Sequence, residues 1–266
     1  AVLVLSHRIS TTCKSCINPP PELIKPAVST LASAFQTDAI VAYMLNGLKD
    51  AEARSAYIPT LFNGFLTASI LNGGWILHTP KTVDGDLGAC ALVLPPGADP
   101  TNPWTMYAAG ALGLVWNLGW SGVQRIMTDY AGSADACKQR AMGTDAEGKP
   151  KEKERYYYVF IIGARPEERG KGLGSALMEE VKRVCREDGN ASCWLESTST
   201  GSRDLYNRLG WRITEEVTIG KGKAGSDGLA KVDGEGVKYW AMLYRPSEEE
   251  EVVKMAMEEQ AARKAL

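Results

Sequence analysis

The stretch that most restricts the possible folds is an unbroken aromatic and β-branched run, Tyr156–Ala164, followed at once by a glycine-rich turn. Such a run is typical of a central strand that is buried on both faces. Pro166 ends the strand, three glycines alternate in the turn, and apolar residues at helical spacing then predict a helix over Ser175–Glu187. A buried strand, a tight turn and an amphipathic helix in this order predict a mixed α/β protein with a ligand at the turn.

The rest of the chain divides at its proline, glycine and asparagine clusters. Strands are predicted over Ala1–Leu5, Trp75–His78, Ala89–Leu94, Ala191–Glu196, Trp211–Ile219 and Val237–Tyr244. Helices are predicted over Glu22–Leu45, Asp50–Leu71, Trp104–Tyr130 and Ser202–Leu209. The second and third strands should form a hairpin, 131–154 a linker or insertion, 220–236 a flexible loop, and 247–266 an acidic helical tail.

Charge and cysteine content exclude several function classes. The formal net charge of −2 gives no global attraction to nucleic acid or to an anionic membrane. Two uncharged stretches, 55–80 and 100–124, contain too many breaking residues for a membrane span and are predicted as buried helix or as the wall of an apolar pocket. The scattered cysteines favour reduced thiols and a cytoplasmic protein, and the pair Cys13 and Cys16 lacks a second pair of zinc ligands.

The turn Arg165–Ser175 carries the chemistry. Its glycines let the backbone approach a ligand without interference from Cβ atoms. Successive N–H groups would then converge at the positive end of the following helix, an arrangement that binds phosphate or diphosphate. Arg169 and Lys171 add charge of the right sign.

Three phosphate-binding patterns compete for this turn. The P-loop pattern is absent. The dinucleotide pattern G-x-G-x-x-G would need a glycine where Ser175 stands, although Glu196 at a strand end could serve as its ribose acid. Too little chain follows for the repeated βα units of a Rossmann domain, which leaves that alternative remote. The third pattern, [QR]-x-x-G-x-[GA], matches Arg169–Gly174 in full.

Arg169–Gly174 resembles motif A of the GNAT superfamily of acetyl-CoA-dependent N-acetyltransferases. Leu195–Ser199 and Ser202–Trp211 resemble its second block, and Ala34–Asp38 resembles the phrase A-F-x-x-D that ends its first helix. The sequences of these blocks are similar to those of the group that contains puromycin N-acetyltransferase and related small-molecule acetyltransferases of fungi and actinobacteria. The likeness covers 155–245, is faint over 1–100, and leaves 100–154 unaligned.

The resemblance implies an α/β (α+β) fold with a mixed, mostly antiparallel central sheet, flanking helices and one parallel strand pair that splays apart. One domain over 1–246 would contain a substrate-side half (1–130), a linker or insertion (131–154) and an acetyl-CoA-binding half (155–246). The cofactor would be acetyl-CoA, without a metal. Its implied contacts are Ile162, Gly163, Ala164, Arg169, Gly170, Lys171, Gly172, Leu173, Gly174, Ser175 and Ser202, the last in place of a common asparagine.

The resemblance also assigns catalytic roles. Tyr206 matches the family's general acid, which would protonate the leaving thiolate. Glu196, which leaves a buried strand near the splay, is the candidate base or water-orienting group, and a free N–H near Ile162 would polarise the thioester carbonyl. Phe35 and Asp38 are candidate substrate residues. Most aromatic residues of the N-terminal half, such as Trp104, Trp116 and Trp120, are expected in the core, and those in a cleft would favour an apolar or aromatic amine.

The expected function is therefore transfer of an acetyl group from acetyl-CoA to the primary amine of a small molecule, by direct attack in a ternary complex. A protein- or peptide-directed acetyltransferase of the same fold is one alternative. A non-catalytic acyl-CoA-binding module is another, since a phosphate cradle does not guarantee turnover. Neither nucleic acid nor membrane is expected as a partner, and the chain would be a monomer or homodimer.

Overall fold

The computed structural model describes residues 13–17, 19–142 and 155–248. Within that part, a seven-stranded sheet has the order β1-β2-β3-β4-β5-β7-β6. The strands are β1 (Lys14–Ile17), β2 (Trp75–His78), β3 (Ala89–Leu94), β4 (Tyr156–Ala164), β5 (Ser192–Ser197), β6 (Arg212–Ile219) and β7 (Val237–Tyr244).

The sheet is mostly antiparallel, with one parallel pair. β2 and β3 form the predicted hairpin, and only β4 and β5 run parallel among the described strands. The mixed, helix-flanked fold class is confirmed. The predicted strand over Ala1–Leu5, the linker from 143 to 154 and the tail from 249 onward lie outside the described residues.

The helices differ from prediction at two breaks, one at Asp38 and one at Gly110, which divides the single helix predicted over Trp104–Tyr130. They are α1 (Pro21–Ala34), α2 (Ala39–Met44), α3 (Ala51–Leu71), α4 (Pro103–Ala108), α5 (Ala111–Gln124), a π-helix over Arg125–Gly132, α6 (Ser133–Met142), α7 (Leu173–Glu187) and α8 (Thr200–Arg208). The single helix predicted over Glu22–Leu45 is wrong. Asp38 accepts a hydrogen bond from the Val41 N–H at 3.0 Å, so it caps a separate helix.

Two apolar layers hold the sheet between its helices. One layer joins α1, α2 and α3 to the sheet through residues such as Leu31, Phe62 and Ile161. The other joins α7 and α8 to the opposite side, with Met178 and Trp211 fully buried. Both layers meet β4, which explains why its sequence is apolar without alternation.

The surface of α4 and α5 contradicts the expectation of a tryptophan-rich core. Trp104, Trp116 and Trp120 are 83%, 89% and 76% exposed. α4 packs on α3, α5 packs on α4 and on the π-helix, and the three indole side chains remain exposed. No helix in the described ranges has both the length and the apolar character needed to cross a bilayer.

Two segments expected to be irregular are ordered. The described part of the predicted linker is helical, since it contains the end of the π-helix and all of α6. The loop 220–236, expected to be flexible, is internally hydrogen-bonded and packs on α2. The Asn46 amide donates to the Gly228 carbonyl at 3.3 Å, and a Cβ atom on Gly228 would collide with the Ala39 carbonyl. Its glycines therefore permit close packing.

Candidate active site

The parallel pair opens into a seam. β4 and β5 pair only from Tyr156 to Tyr158, although β4 continues to Ala164. The N–H of Arg165 donates to Gly88 on the β3 side at 3.1 Å. Because N–H groups alternate sides along a strand, those of Ile162 and Ala164 face the open seam. The predicted splay is therefore confirmed, with backbone donors along it.

Gly163 lets the end of α1 lie against this part of β4. A Cβ atom there would be 2.7 Å from the Ala34 Cβ and 3.2 Å from the Phe35 ring. Because Gly163 has no side chain, Ala34 and the Phe35 ring can lie close to the seam.

The turn before α7 forms a cradle of backbone donors. Gly170 and Gly172 both have φ +77°, and a Cβ atom on either would meet nothing within 4 Å. The first helical bond runs from the Ala176 N–H to the Gly172 carbonyl at 3.0 Å. The N–H groups of residues 170–175 donate to no described residue. Such a cluster at a helix N-terminus fits the diphosphate of a coenzyme.

The basic side chains of the turn have partners within the protein. The Arg169 N–H donates to Pro166, and its guanidinium donates to the Ala34 carbonyl at 2.8 Å, so the turn is tied to α1. Lys171 pairs with Glu168 at 2.9 Å. The backbone, with these side chains around it, supplies the free donors.

A cavity of about 790 Å³ joins the seam and the cradle. Every predicted site residue lines it except Lys171. Those that line it are Phe35, Asp38, Ile162, Gly163, Ala164, Arg169, Gly170, Gly172, Leu173, Gly174, Ser175, Glu196, Ser202 and Tyr206. The two halves of the chain therefore meet at one cavity.

Tyr206 reaches the cavity from α8. Its side chain is buried and packs against Trp211, with ring centroids 6.5 Å apart, but its hydroxyl makes no hydrogen bond to a described residue. Burial raises the pKa of Tyr206 well above its ordinary value. The hydroxyl is thus protonated near neutral pH and available as a donor.

Glu196 faces the cavity from the end of β5. Its carboxylate accepts hydrogen bonds from the Tyr158 hydroxyl at 2.6 Å and from the Trp194 indole. Burial raises the pKa of Glu196, while these bonds and the charge of Lys138 act in the opposite direction. A carboxylate with a raised pKa is a better base near neutral pH.

Asp38 and Ser202 belong to polar clusters. Besides capping α2, Asp38 accepts a hydrogen bond from the Thr198 hydroxyl, and burial raises its pKa. It therefore connects the start of α2 to the chain just after β5. Ser202 lies within 2.8 Å of the Ser197 and Ser199 hydroxyls.

One wall of the cavity is aromatic. All four phenylalanines of the chain, Phe35, Phe62, Phe65 and Phe160, line it. Successive ring centroids lie 5.1, 6.2 and 5.7 Å apart. The packed rings offer an apolar surface to a ligand.

Sequence reasoning missed Tyr130. The π-helix places it in the cavity wall together with Ile126 and Met127. No motif covers this segment, and a π-helix is not evident from apolar spacing. Its occurrence at a cavity is a pattern common at functional sites.

Comparison with known proteins finds an acetyltransferase profile and similar chains. Residues 130–211 match the profile of the acetyltransferase (GNAT) family. The chain is 22% identical to an uncharacterised N-acetyltransferase of Schizosaccharomyces pombe over 73% of each chain. It is 31% identical to an uncharacterised protein of Saccharomyces cerevisiae over 34% of this chain and 38% of that one.

Solved structures share the fold at low identity. One is the histone acetyltransferase HPA2 and related acetyltransferase from Corynebacterium glutamicum, with a TM-score of 0.53, 21% identity, and coverage of 88% of this chain and 96% of that one. Another is a Drosophila melanogaster polyamine N-acetyltransferase, with a TM-score of 0.51, 16% identity, and coverage of 88% and 99%. The described residues contain no cluster suited to a metal ion. The profile match thus indicates a GNAT acetyltransferase domain over residues 130–211, and the solved structures share its fold.

Proposed function

We propose that the chain transfers an acetyl group from acetyl-CoA to the primary amine of a small molecule, by direct attack in a ternary complex. One observation carries the proposal: the free donors of the turn, the open seam and the unpartnered Tyr206 hydroxyl all border one cavity. Its volume of about 790 Å³ lies within the range of small-molecule sites.

The turn and the seam would hold the coenzyme. The N–H groups of 170–175 would bind its diphosphate, and the seam N–H of Ala164 would pair with its amide-containing arm. When bound, acetyl-CoA supplies an acetyl group activated as a thioester. No cysteine lines the cavity among the described residues, so no thiol stands ready to carry the acetyl group in a second covalent step. This favours direct attack.

Three groups of the protein would then act on the reacting atoms. The Ile162 N–H would donate to the thioester carbonyl oxygen, where negative charge develops, and removal of one such donor costs about 10²–10³ in rate in other acyl transfers. Glu196 accepts the proton that the amine loses, directly or through water. Tyr206 would donate its proton to the leaving sulphur.

The five cysteines whose side chains are described are free, which suits a reducing compartment such as the cytosol.

A protein-directed acetyltransferase is the nearest alternative, because a relative by fold is named as a histone acetyltransferase. The aromatic cavity wall favours a compact apolar amine over a polar peptide tail. A non-catalytic acyl-CoA-binding module would not need both an unpartnered tyrosine hydroxyl and a buried carboxylate in one cavity, so this observation favours catalysis.

Thiol release from acetyl-CoA with a panel of amines tests the proposal. Gly172→Glu should weaken coenzyme A binding strongly, since it puts a carboxylate and a strained residue into the cradle. Gly189→Glu is the matched control, because Gly189 also has positive φ and open space but lies outside the cavity lining. Equal coenzyme affinity in the two variants would contradict the cradle.

Tyr206→Phe tests the proton donor separately. We expect kcat to fall while coenzyme affinity stays unchanged, because only the hydroxyl is removed from a packed ring. Unchanged kcat at every pH would rule out Tyr206 as the general acid.

A further inference from the structure

We propose that the π-helix Arg125–Gly132 builds the acceptor subsite and that Tyr130 holds the substrate ammonium between Asp38 and Glu196. The site would then select amines that carry one positive charge on an apolar body. The inference rests on the proposed function, since it names the substrate class of that same site.

Tyr130 shares its cavity with two carboxylates. It lines the cavity, as Asp38 and Glu196 do, and its hydroxyl makes no hydrogen bond to a described residue. Burial, and after it the negative charges of both carboxylates, raise the pKa of Tyr130. A cavity lined by a phenol ring and two carboxylates is a suitable environment for an ammonium ion, which can bond to the oxygens and lie against the ring.

The protein fixes Tyr130 from two sides. The Tyr43 hydroxyl on α2 donates to the Asp129 carboxylate at 2.6 Å. The Ser133 hydroxyl lies 2.7 Å from the Tyr239 hydroxyl on β7 and donates to the Tyr130 carbonyl at 2.8 Å. The Tyr130 ring also packs edge-on against Tyr239, with centroids 5.4 Å apart. The π-helix is therefore tied to both α2 and the sheet, which preorganises the ring.

Charge pairing within the described residues leaves two cavity carboxylates without a cation. Asp135 also lines the cavity, but Lys138 pairs with it at 2.9 Å and lies 5.0 Å over the Tyr158 ring. Lys138 also acts on Glu196 electrostatically, from beyond ion-pair distance. Within the described residues, neither Asp38 nor Glu196 forms an ion pair. A single substrate ammonium would complement these two carboxylates.

The aromatic part of the cavity wall disfavours a second charge. The rings of Phe35, Phe62, Phe65 and Phe160 lie on the same cavity and cannot accept strong hydrogen bonds. A second ammonium of a polyamine would lose water there without a charged partner. Phenethylamine, a single amine on an aromatic body, is thus the appropriate probe, and spermidine is its polycationic counterpart.

Kinetics of Tyr130 variants test the inference. Tyr130→Leu should raise KM for phenethylamine about tenfold or more, the effect of losing a desolvated cation–π contact. KM for acetyl-CoA should stay within about twofold. Tyr130→Phe keeps the ring, so its KM for phenethylamine should lie between those of the wild type and Tyr130→Leu. Tyr107→Leu is the matched control, because Tyr107 is 64% exposed and does not line the cavity.

A binding assay separates this inference from the proposed function. Phenyltrimethylammonium has the charge and the ring but no transferable proton, so calorimetry measures the subsite without turnover. The subsite is supported if the affinity for phenyltrimethylammonium falls about tenfold in Tyr130→Leu and not in Tyr107→Leu. This support would hold even if the wild-type protein never consumed acetyl-CoA. A failure to consume acetyl-CoA would refute the proposed function alone.

The opposite pattern would refute the subsite alone. In that pattern the wild-type protein acetylates amines, and the Tyr130→Leu and Tyr130→Phe variants are folded. Both variants keep the wild-type KM for the amine and the wild-type affinity for phenyltrimethylammonium. A higher kcat/KM for spermidine than for phenethylamine would overturn the one-charge rule.

Discussion

Gly163→Ala is the sharpest test of how α1 is positioned on the sheet. The added Cβ would lie 2.7 Å from the Ala34 Cβ and 3.3 Å from the Leu31 side chain. Carbon atoms prefer about 3.5–4.0 Å, so α1 must move outward. Overpacking of this kind costs about 2 kcal/mol. Replacing a strand glycine returns roughly 0.5–1 kcal/mol, which leaves a loss of about 1–1.5 kcal/mol in the free energy of unfolding.

Urea denaturation of both forms measures this loss, and Gly201→Ala is the control. Gly201 lies in α8, and a Cβ atom added there would meet nothing within 4 Å, so alanine should be neutral or stabilising. Since Phe35 follows Ala34, Gly163→Ala should also raise KM for the amine. A Gly163→Ala variant as stable as wild type would show that α1 does not approach β4 this closely.

Three further predictions concern the site and its frame. Burial raises the pKa of Glu196 above the ordinary value of about 4.3, so kcat/KM should fall as pH drops through that raised pKa, and Glu196→Gln should abolish this acid limb. Gly228→Ala should destabilise the fold by more than about 2 kcal/mol through strain and collision with α2, whereas Gly222→Ala, with similar φ but open space, should cost less in the same thermal melt. Asp38→Ala should cost about 1 kcal/mol for the cap and raise amine KM, while Asp50→Ala should cost only the cap.

The segments predicted well from sequence are those whose information is local. The run Tyr156–Ala164, its glycine turn and the helix after it agree with prediction within two residues, because burial on both faces and tight turns leave strong local signals. The prediction that Glu196 and Tyr206 belong to one site came from the family resemblance rather than from their spacing alone, and both residues line the cavity.

The segments predicted poorly depend on tertiary contacts. The break at Asp38 is not evident from sequence because the apolar spacing continues across it, and its cap bond forms only in the folded chain. The exposure of Trp116 does not follow from composition, since a tryptophan is apolar wherever it lies. Tyr130 was missed because a π-helix shifts residues away from the faces that a regular helix would predict.

The separation of β4 from β5 gives the sheet an edge in its interior. Ordinary edges invite pairing with another chain and are shielded for that reason. This one lies inside a cavity, where only a slender extended molecule can satisfy its backbone groups. Filling it adds hydrogen bonds to the native state alone, which raises the free energy of unfolding by about 2.7 kcal/mol at a ligand concentration of 100 times Kd. The melting temperature should therefore rise as a ligand fills the gap between β4 and β5.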